Sequence, residues 1–360
     1  MRRRRGGYIY MNYDARQRPR RGLLYTIILL AVLIGVVLTT NYITNHQVRI
    51  ESERITVQNL HGDLENWSIL HFSDLKGEYL GENQQLIRRA ISEYNYSTVV
   101  FTGDMIGKDG DVQPFLDLVA LLPADVPKFL ITGDSDPAML DATAHGSLSA
   151  LSDWALAVQN AGVILLDEPY EVTRGKGRIW YVPEYLYGLD LDSMEASYQA
   201  VLETLDALGG TLTADQAAQR RVAEYQLEKV ARVRALKKEI SADDVQIVLS
   251  HSPISEEYLT TMLGWQDKTN AFSLRHASLI LSGHYCGGQW RIPGAGPVWA
   301  PELGWFPAEE SVSGLSYLVG VPQYISPGLA ATDDYTFMPG RLYNAPTVSI
   351  IYLTTKLVGM

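Results

Sequence analysis

One pattern recurs five times along the chain and limits the folds open to it. A short, continuous apolar run ends at a small residue, and an aspartate or a histidine follows, at Asp74, Asp104, Asp134, His251 and His284. Continuous runs rich in β-branched residues predict strands that are buried on both faces. The first three aspartates stand thirty residues apart, which is the length of a βαβ unit, and helical patterns fit between them.

The five side chains are expected to meet at one edge of a sheet. The carboxyl ends of parallel strands lie at the same edge, and open α/β sheets bind their ligands there. Glycine precedes Asp104, Asp134 and His284, and it permits a sharp turn and a close backbone approach. Carboxylates and imidazoles are typical ligands of Mn²⁺, Fe²⁺ and Zn²⁺. The pattern therefore predicts an α/β fold with a metal site at its carboxyl edge.

The N-terminus predicts a membrane anchor. Residues 1–22 hold eight arginines and one acid, a net charge of +7, and residues 23–43 hold no charge. Within that segment, residues 23–40 cover about 27 Å as a helix, close to the hydrocarbon thickness of a bilayer. Arginines before the helix keep the basic head in the cytoplasm, so we expect a single-pass protein of the cell membrane with residues 44–360 outside the cytoplasm. No clear A-x-A site follows the apolar segment, which favours an anchor over a cleaved signal.

Charge and cysteine content exclude several classes of protein. The whole chain carries a net charge of −11, and everything beyond the basic head and the uncharged segment carries −18. Such an acidic surface argues against nucleic acid as a partner. The single cysteine, Cys286, excludes a disulfide framework and a multi-cysteine zinc site.

One stretch departs from the strand pattern. Residues 191–242 predict two helices, since Gly209 and Gly210 end one apolar stripe and Thr213 with Gln216 forms a capping box for a second. We interpret this insert as a helical hairpin folded onto the domain, with a lid or an oligomer contact as the alternative. The C-terminal third, rich in Gly, Pro, Tyr and Trp, predicts a second, antiparallel sheet region.

Five blocks of the sequence resemble, in order, the signature blocks of the calcineurin-like metallophosphoesterases, and most closely those of their membrane-anchored bacterial branch. They are Ser73-Asp-Leu-Lys76, Gly103-Asp-Met105, Gly133-Asp-Ser-Asp136, Ser250-His-Ser-Pro253 and Gly283-His-Tyr-Cys-Gly-Gly-Gln289. The resemblance covers about residues 50–356 apart from the insert. It implies one domain over residues 44–360, built as a four-layer α-β-β-α sandwich of two mixed sheets. It also implies hydrolysis of phosphate mono- or diesters by a pair of metal ions.

The resemblance implies roles for the residues that match the family's blocks. Asp104 corresponds to the ligand that bridges the two metals. The remaining ligands of the second metal correspond to Asp134, His251 and His284, and one ligand of the first metal corresponds to Asp74. Our catalytic candidates are Asp104, His284, Lys76 and Ser135, and the last two stand where the family has histidines.

Four departures from the family pattern fall inside the predicted site. Lys76 and Cys286 replace two histidine ligands of the first metal, Asp134 replaces an asparagine, and Ser135 replaces the histidine that protonates the leaving group or steadies the transition state. A charged lysine cannot ligate a metal. Among carboxylates Lys76 should stay charged and stand in for the first cation. A Cys286 thiolate could bind Zn²⁺, but the adjacent ammonium disfavours a complete site, and an inert buried thiol is the alternative.

We therefore expect one divalent cation, Mn²⁺, Fe²⁺ or Zn²⁺, at Asp104, Asp134, His251 and His284. Ser135 is not a general acid near neutral pH, and loss of such a group costs about 10² to 10⁴-fold in rate. Two functions stay open. One is a membrane-anchored phosphoesterase with an impaired or one-metal site, acting on lipid or cell-envelope phosphate esters. The other is a catalytically inactive pseudo-phosphoesterase that binds a ligand or acts as a scaffold. A plain membrane scaffold working through the helical insert has less support from the residues.

Overall fold

The structure is a computed structural model, and it describes residues 21–143, 149–266, 269–300, 302–332, 337 and 340–356. The chain divides into two compact units, Met1–Ile43 and Thr44–Met360. The predicted basic head, residues 1–22, lies outside the described residues except for its last two positions.

The N-terminal unit contains one long apolar helix, α1 (Arg21–Asn45). Among the described residues, Gly22–Asn45 is the single helix long and apolar enough to cross a membrane. Its 24 residues extend over about 36 Å at 1.5 Å per residue. The predicted apolar helix is confirmed. A signal sequence near an N-terminus has the same length and composition, so insertion in a membrane stays a prediction.

Strands and helices alternate along most of the second unit. Its strands are β1 (Arg49–Thr56), β2 (Trp67–Phe72), β3 (Thr98–Thr102), β4 (Lys128–Ile131), β5 (Ile164–Leu165), β6 (Tyr170–Arg174), β7 (Gly177–Pro183), β8 (Val245–Leu249), β9 (Ala277–Ser282), β10 (Arg291–Ile292), β11 (Gly296–Pro297), β12 (Trp299–Ala300), β13 (Gly304–Trp305), β14 (Gly314–Leu318), β15 (Val321–Ile325) and β16 (Thr347–Thr354). Its helices are α2 (Gln85–Ile91), α3 (Gln113–Val119), α4 (Asp153–Asn160), α5 (Leu191–Ala207), α6 (Ala214–Glu239) and α7 (Glu256–Trp265).

The first sheet contains the strands that the three aspartates follow. Its order is β1-β16-β2-β3-β4-β5, and β2 to β5 run parallel to one another. The C-terminal strand β16 lies between β1 and β2, parallel to the first and antiparallel to the second. Every residue of β2, β3 and β4 is buried. This burial on both faces explains why the sequence shows unbroken apolar runs there.

The second sheet contains the strands that the two histidines follow. Its order is β14-β15-β9-β8-β7-β6, with β7, β8, β9 and β15 parallel and antiparallel strands at both edges. The C-terminal third, where the sequence predicts a second antiparallel sheet region, contains the antiparallel pairs β10–β11, β12–β13 and β14–β15. β14 and β15 extend this second sheet, whereas β16 is buried along nearly its whole length and therefore belongs inside the first sheet.

The two sheets face each other across a shared core. The Tyr181 ring of β7 stacks on Phe129 of β4 at 4.5 Å, and its hydroxyl is hydrogen-bonded to Trp67 and Thr98 of the first sheet. Outside the first sheet, side chains of α2, α3 and α4 form a second core, and outside the second sheet those of α6 and α7 form a third. The predicted four-layer α-β-β-α sandwich of two mixed sheets is confirmed.

Helices α5 and α6 pack against each other where the sequence predicts a helical insert. Thr213 and Gln216 form the capping box at the start of α6. The buried side of α6 rests on the domain, where Lys229 lies 3.5 Å from Asp167 and Val233 joins the outer core. This packing favours the interpretation of a hairpin folded onto the domain.

Candidate metal centre

The predicted site residues follow the carboxyl ends of five strands. Asp74, Asp104 and Asp134 follow β2, β3 and β4 of the first sheet, and His251 and His284 follow β8 and β9 of the second. Because the strands within each set are parallel, the five side chains reach the same edge of the sandwich. The sheet topology thus places together residues that are up to 210 positions apart in the sequence.

The backbone at this edge adopts conformations that ordinary residues rarely take. Five site residues have a positive φ: Asp74 (54°), Lys76 (51°), Asp104 (55°), His284 (76°) and Cys286 (48°). Left-handed backbone at non-glycine residues is uncommon and costs about 1 kcal/mol or more for each residue. Such strain concentrates at functional sites, where it directs side chains toward a common point.

Two glycines allow the elements of the site to approach closely. A Cβ atom on Gly103 would lie 2.7 Å from His251 Nδ1, and one on Gly133 would lie 2.8 Å from His251 Cε1. Real Cβ atoms essentially never approach so closely. Glycine before Asp104 and Asp134 is therefore required for the imidazole of His251 to pack between the two loops.

One side of Asp104 collects metal-ligand atoms. His284 Nδ1 lies 3.2 Å from Asp134 Oδ2 and 3.3 Å from His251 Nε2, and His251 Nε2 lies 3.4 Å from Asp104 Oδ1. Ligand atoms of Asp134, His251 and His284 all lie within 4.8 Å of one another. Two imidazoles and one carboxylate form this group, and Asp104 adjoins it through His251. Such donors suit one borderline divalent cation.

A backbone carbonyl fixes the direction of His251. Its Nδ1 lies 2.8 Å from the carbonyl oxygen of Thr102, so Nε2 points to the carboxylates. Burial on its own lowers the pKa of His251, but the hydrogen bond to Asp104 and the charges of Asp74 and Asp104 raise the pKa to about 9. A cation bound at this centre would replace that proton.

The other side of Asp104 holds the ammonium group of Lys76. Lys76 Nζ is paired with Asp104 Oδ2, and it lies 3.9 Å from Asp74 Oδ1 and 3.3 Å from Ser135 Oγ. Burial on its own lowers the pKa of Lys76, but the surrounding anionic groups raise that pKa above its usual value. The ammonium therefore stays charged and lies where the family pattern has a ligand of the first metal.

Asp74 is the second carboxylate on the Lys76 side of Asp104, and it does not complete a set of metal ligands there. Its Oδ2 accepts hydrogen bonds from the hydroxyl of Ser73 at 2.5 Å and from the backbone N–H of His284 at 3.1 Å. Its buried Oδ1 has no hydrogen-bond partner among the described residues. Asp74, Asp104 and His251 also have ligand atoms within 4.8 Å of one another. The ammonium beside both carboxylates leaves the first-metal position a poor fit for a second cation.

Cys286 is fully buried beside these charges. Burial raises the pKa of its thiol to about 12, and its S–H lies 3.7 Å from the carbonyl oxygen of His284. A neutral thiol is a weak metal ligand, so this environment favours the interpretation of Cys286 as an inert buried side chain.

Ser135 and Asp136, the two residues that follow Asp134, hold the loop in place with hydrogen bonds. The backbone N–H of Ser135 donates to Asp104 Oδ1 at 2.7 Å, and its hydroxyl donates to Oδ2 at 3.0 Å. The Asp136 carboxylate accepts hydrogen bonds from the backbone N–H groups of Asp104, Gly133 and Ile106. Sequence reasoning did not identify the hydroxyl of Ser73 as a donor to Asp74, nor the carbonyl oxygen of Thr102 as the partner of His251. A backbone acceptor such as the Thr102 carbonyl leaves no signal in the residue type.

The sequence profile of the calcineurin-like phosphoesterases matches residues 68–287, a stretch that contains all of the strand-end ligands. The chain belongs to this family. No curated protein matches the chain of this calcineurin-like phosphoesterase.

Two solved structures give weaker likenesses to this calcineurin-like phosphoesterase. The phosphopantetheinyl hydrolase PptH from Mycobacterium tuberculosis is 13% identical, with a TM-score of 0.38, over 82% of this chain and 99% of the other. The sulfate thiohydrolase SoxB from Thermus thermophilus is 11% identical, with a TM-score of 0.32, over 81% of this chain and 57% of the other. Scores this low carry no argument about function.

Proposed function

We propose that this calcineurin-like phosphoesterase hydrolyses phosphate mono- or diesters with one divalent cation and one fixed ammonium. The proposal rests on the different surroundings of the two carboxylate oxygens of Asp104. Its Oδ1 faces His251, with Asp134 and His284 close by, and its Oδ2 is paired with Lys76. Asp104, Asp134, His251 and His284 would hold Mn²⁺, Fe²⁺ or Zn²⁺.

The residues divide the chemistry between them. A divalent cation supplies Lewis-acid polarisation of a phosphoryl oxygen and makes water more acidic. Lys76 offers a second positive charge that can bind a phosphoryl oxygen without ligating a metal. Ser135 offers a hydroxyl that donates a hydrogen bond, but it does not act as a general acid at neutral pH. We therefore expect slow hydrolysis compared with a complete two-metal site.

We further propose that α1 anchors the protein in the cell membrane as a single-pass helix, with the basic head in the cytoplasm and the phosphoesterase domain outside it. The arginines before α1 support this orientation. The substrate would then be a phosphate ester of a lipid or of a cell-envelope precursor. Because the part of the chain after residue 43 carries −18, an anionic substrate requires the local positive charge of the cation and Lys76.

A second function is supported by the replaced residues. Lys76, Cys286 and Ser135 stand where the family has two ligands and the histidine beside the leaving group. A protein that kept the fold and lost turnover would act as a pseudo-phosphoesterase, and it would bind a ligand or partner instead.

An assay of the full-length protein separates these functions. A generic aryl phosphodiester is supplied with Mn²⁺, and wild type is compared with Asp104→Ala and with Asp243→Ala, which changes an exposed aspartate away from the site. Hydrolysis that Asp104→Ala abolishes and Asp243→Ala retains supports the phosphoesterase. Absence of both hydrolysis and bound metal in the wild type supports the pseudo-phosphoesterase.

A further inference from the structure

A small cavity opens beside His251, and the chemistry described so far does not use it. Its volume is about 140 Å³. Its walls include Ile131 and Leu249, the last residues of β4 and β8, together with segments that follow β5 and β7. His251 itself forms part of the wall. This His251 cavity therefore adjoins the candidate metal centre at the same edge of the sandwich.

Apolar side chains form most of the surface that an occupant of the His251 cavity would contact. They include Leu130, Ile131, Met139, Leu166 and Leu249. An apolar cavity of about 150 Å³ in another protein accommodates benzene. The His251 cavity is close to that size, so it fits one phenyl ring or an alkyl chain of about four carbons.

The two acids in the wall of the His251 cavity, Asp167 and Glu184, already have partners. Asp167 Oδ2 lies 3.5 Å from Lys229 Nζ, and the Tyr185 hydroxyl donates to the carbonyl oxygen of Asp167 at 3.1 Å. Lys229 in turn donates to Tyr185 at 2.9 Å, and Glu184 accepts a hydrogen bond from Tyr258. Because these acids are paired, they do not favour a cationic or strongly polar occupant. The same bonds hold the wall in place before a ligand arrives.

We propose that the His251 cavity binds one short apolar substituent of the phosphate ester. This rests on the proposed function, because the cation centre and Lys76 would hold the phosphate itself. His251 contributes both to that centre and to the cavity wall, so a phosphate held at the centre would lie next to the cavity. The substrate class is then a phosphate ester that carries a phenyl group or a short alkyl chain on one ester oxygen. The other substituent of a diester stays outside the cavity.

The test measures binding instead of turnover. The full-length protein is loaded with Mn²⁺ and titrated by calorimetry with methyl-, ethyl-, propyl-, butyl- and phenylphosphonate, which carry the group on a non-hydrolysable bond. Each methylene that enters the cavity should tighten binding about fourfold, up to butyl. Phenylphosphonate should bind in the range of the longer alkyl compounds.

Substitutions at Met139 change the room in the cavity in opposite directions. Met139→Trp should fill it, so that all phosphonates bind as methylphosphonate does. Met139→Ala should enlarge it, so that with this variant pentylphosphonate, added to the series, binds more tightly than butylphosphonate. Met194→Trp makes the same exchange on α5, outside the cavity, and should leave the wild-type series unchanged.

The outcomes separate this proposal from the proposed function. If affinity is independent of chain length in the wild type, or if the increase survives Met139→Trp, the cavity proposal is overturned even where Asp104-dependent hydrolysis is observed. If the chain-length series appears without hydrolysis, the cavity proposal stands and the phosphoesterase proposal fails. If no phosphonate binds, the cavity does not serve a phosphate ester and the proposal is overturned.

Discussion

On one side of Asp104, His251 Nε2 lies 3.4 Å from Oδ1, and ligand atoms of His284 and Asp134 lie close to that imidazole. On the other side, an ammonium group is paired with Oδ2. Both sides lie at the ends of parallel strands and both contain residues in left-handed backbone. They differ in what neutralises the carboxylates. One side presents atoms that can ligate a cation, whereas the Lys76 side already contains a positive charge that is covalently attached to the chain.

Because of this difference, the group that neutralises the carboxylates on the Lys76 side is not one that supplies metal chemistry. Lys76 can compensate Asp74 and Asp104 and attract a phosphate, but an ammonium does not polarise a phosphoryl oxygen or acidify water as a divalent cation does. Asp134 adds a negative charge where the family has asparagine, and Lys76 adds a positive one, so the two changes offset each other. Under the proposed function, the site would keep its charge balance with one metal position fewer.

The largest expected effect, on bound metal and on kcat, comes from removing one of the candidate ligands of the cation. His284→Ala should remove the bound cation and lower kcat for the aryl phosphodiester about a thousandfold, because a metal contributes several kcal/mol to transition-state stabilisation. Metal content and steady-state rates measure this. His61→Ala, which changes an exposed histidine, should retain both. A His284→Ala protein with full activity would show that the cation is held elsewhere.

Lys76→Met tests the opposite side. The substitution leaves Asp104 and Asp74 buried without the compensating charge, so the free energy of unfolding of the metal-free protein should fall by about 3 kcal/mol. Urea unfolding monitored by circular dichroism measures the change, with Lys176→Met, at an exposed hairpin position, as the control. Equal stability of the two variants would mean that Lys76 does not neutralise the site.

Restoring the family residues should make the two sides alike. Lys76→His, Cys286→His and Ser135→His together supply two ligands and an acid, so the protein should bind a second cation and hydrolyse the diester about a hundredfold faster. The double variant without Ser135→His should bind the second cation with a smaller gain in rate. A triple variant that still binds one cation at the wild-type rate would contradict this explanation of the departures.

The smallest effect is expected at Cys286. Cys286→Ala removes one buried sulfur, so stability should fall by about 1 kcal/mol while the amount of bound metal stays the same. Chemical unfolding and elemental analysis measure the two quantities. Loss of the cation in this variant would identify the thiol as a ligand and reject its interpretation as an inert side chain.

The sequence was sufficient to predict the five strands that the candidate ligands follow and the edge at which these side chains meet. Unbroken apolar runs such as β3 end directly before Asp104, and parallel strands share an edge, so the positions of the aspartates and histidines followed from local patterns. The position of β16 could not be predicted in this way. β16 lies between β1 and β2 of the first sheet, and its side chains are buried there by residues from distant parts of the chain.

The contacts of Lys76 and His251 depended on three-dimensional structure. The sequence predicts a charged lysine near two carboxylates, but its pairing with Asp104 depends on a positive φ of 51° at Lys76. The orientation of His251 depends on a carbonyl oxygen of Thr102, 149 positions away. The His251 cavity likewise forms at four strand ends of two sheets together with Met139 of a loop, and no local pattern connects these segments.

Elemental analysis of the purified full-length protein tests the central claim most directly. After dialysis against buffer that contains no chelator, the wild type should contain one divalent cation per chain, and Asp104→Ala should contain none. Two cations per chain in the wild type would show that Lys76 does not take the place of a metal. A wild-type protein without any bound cation would contradict the assignment of Asp104, Asp134, His251 and His284 as its ligands.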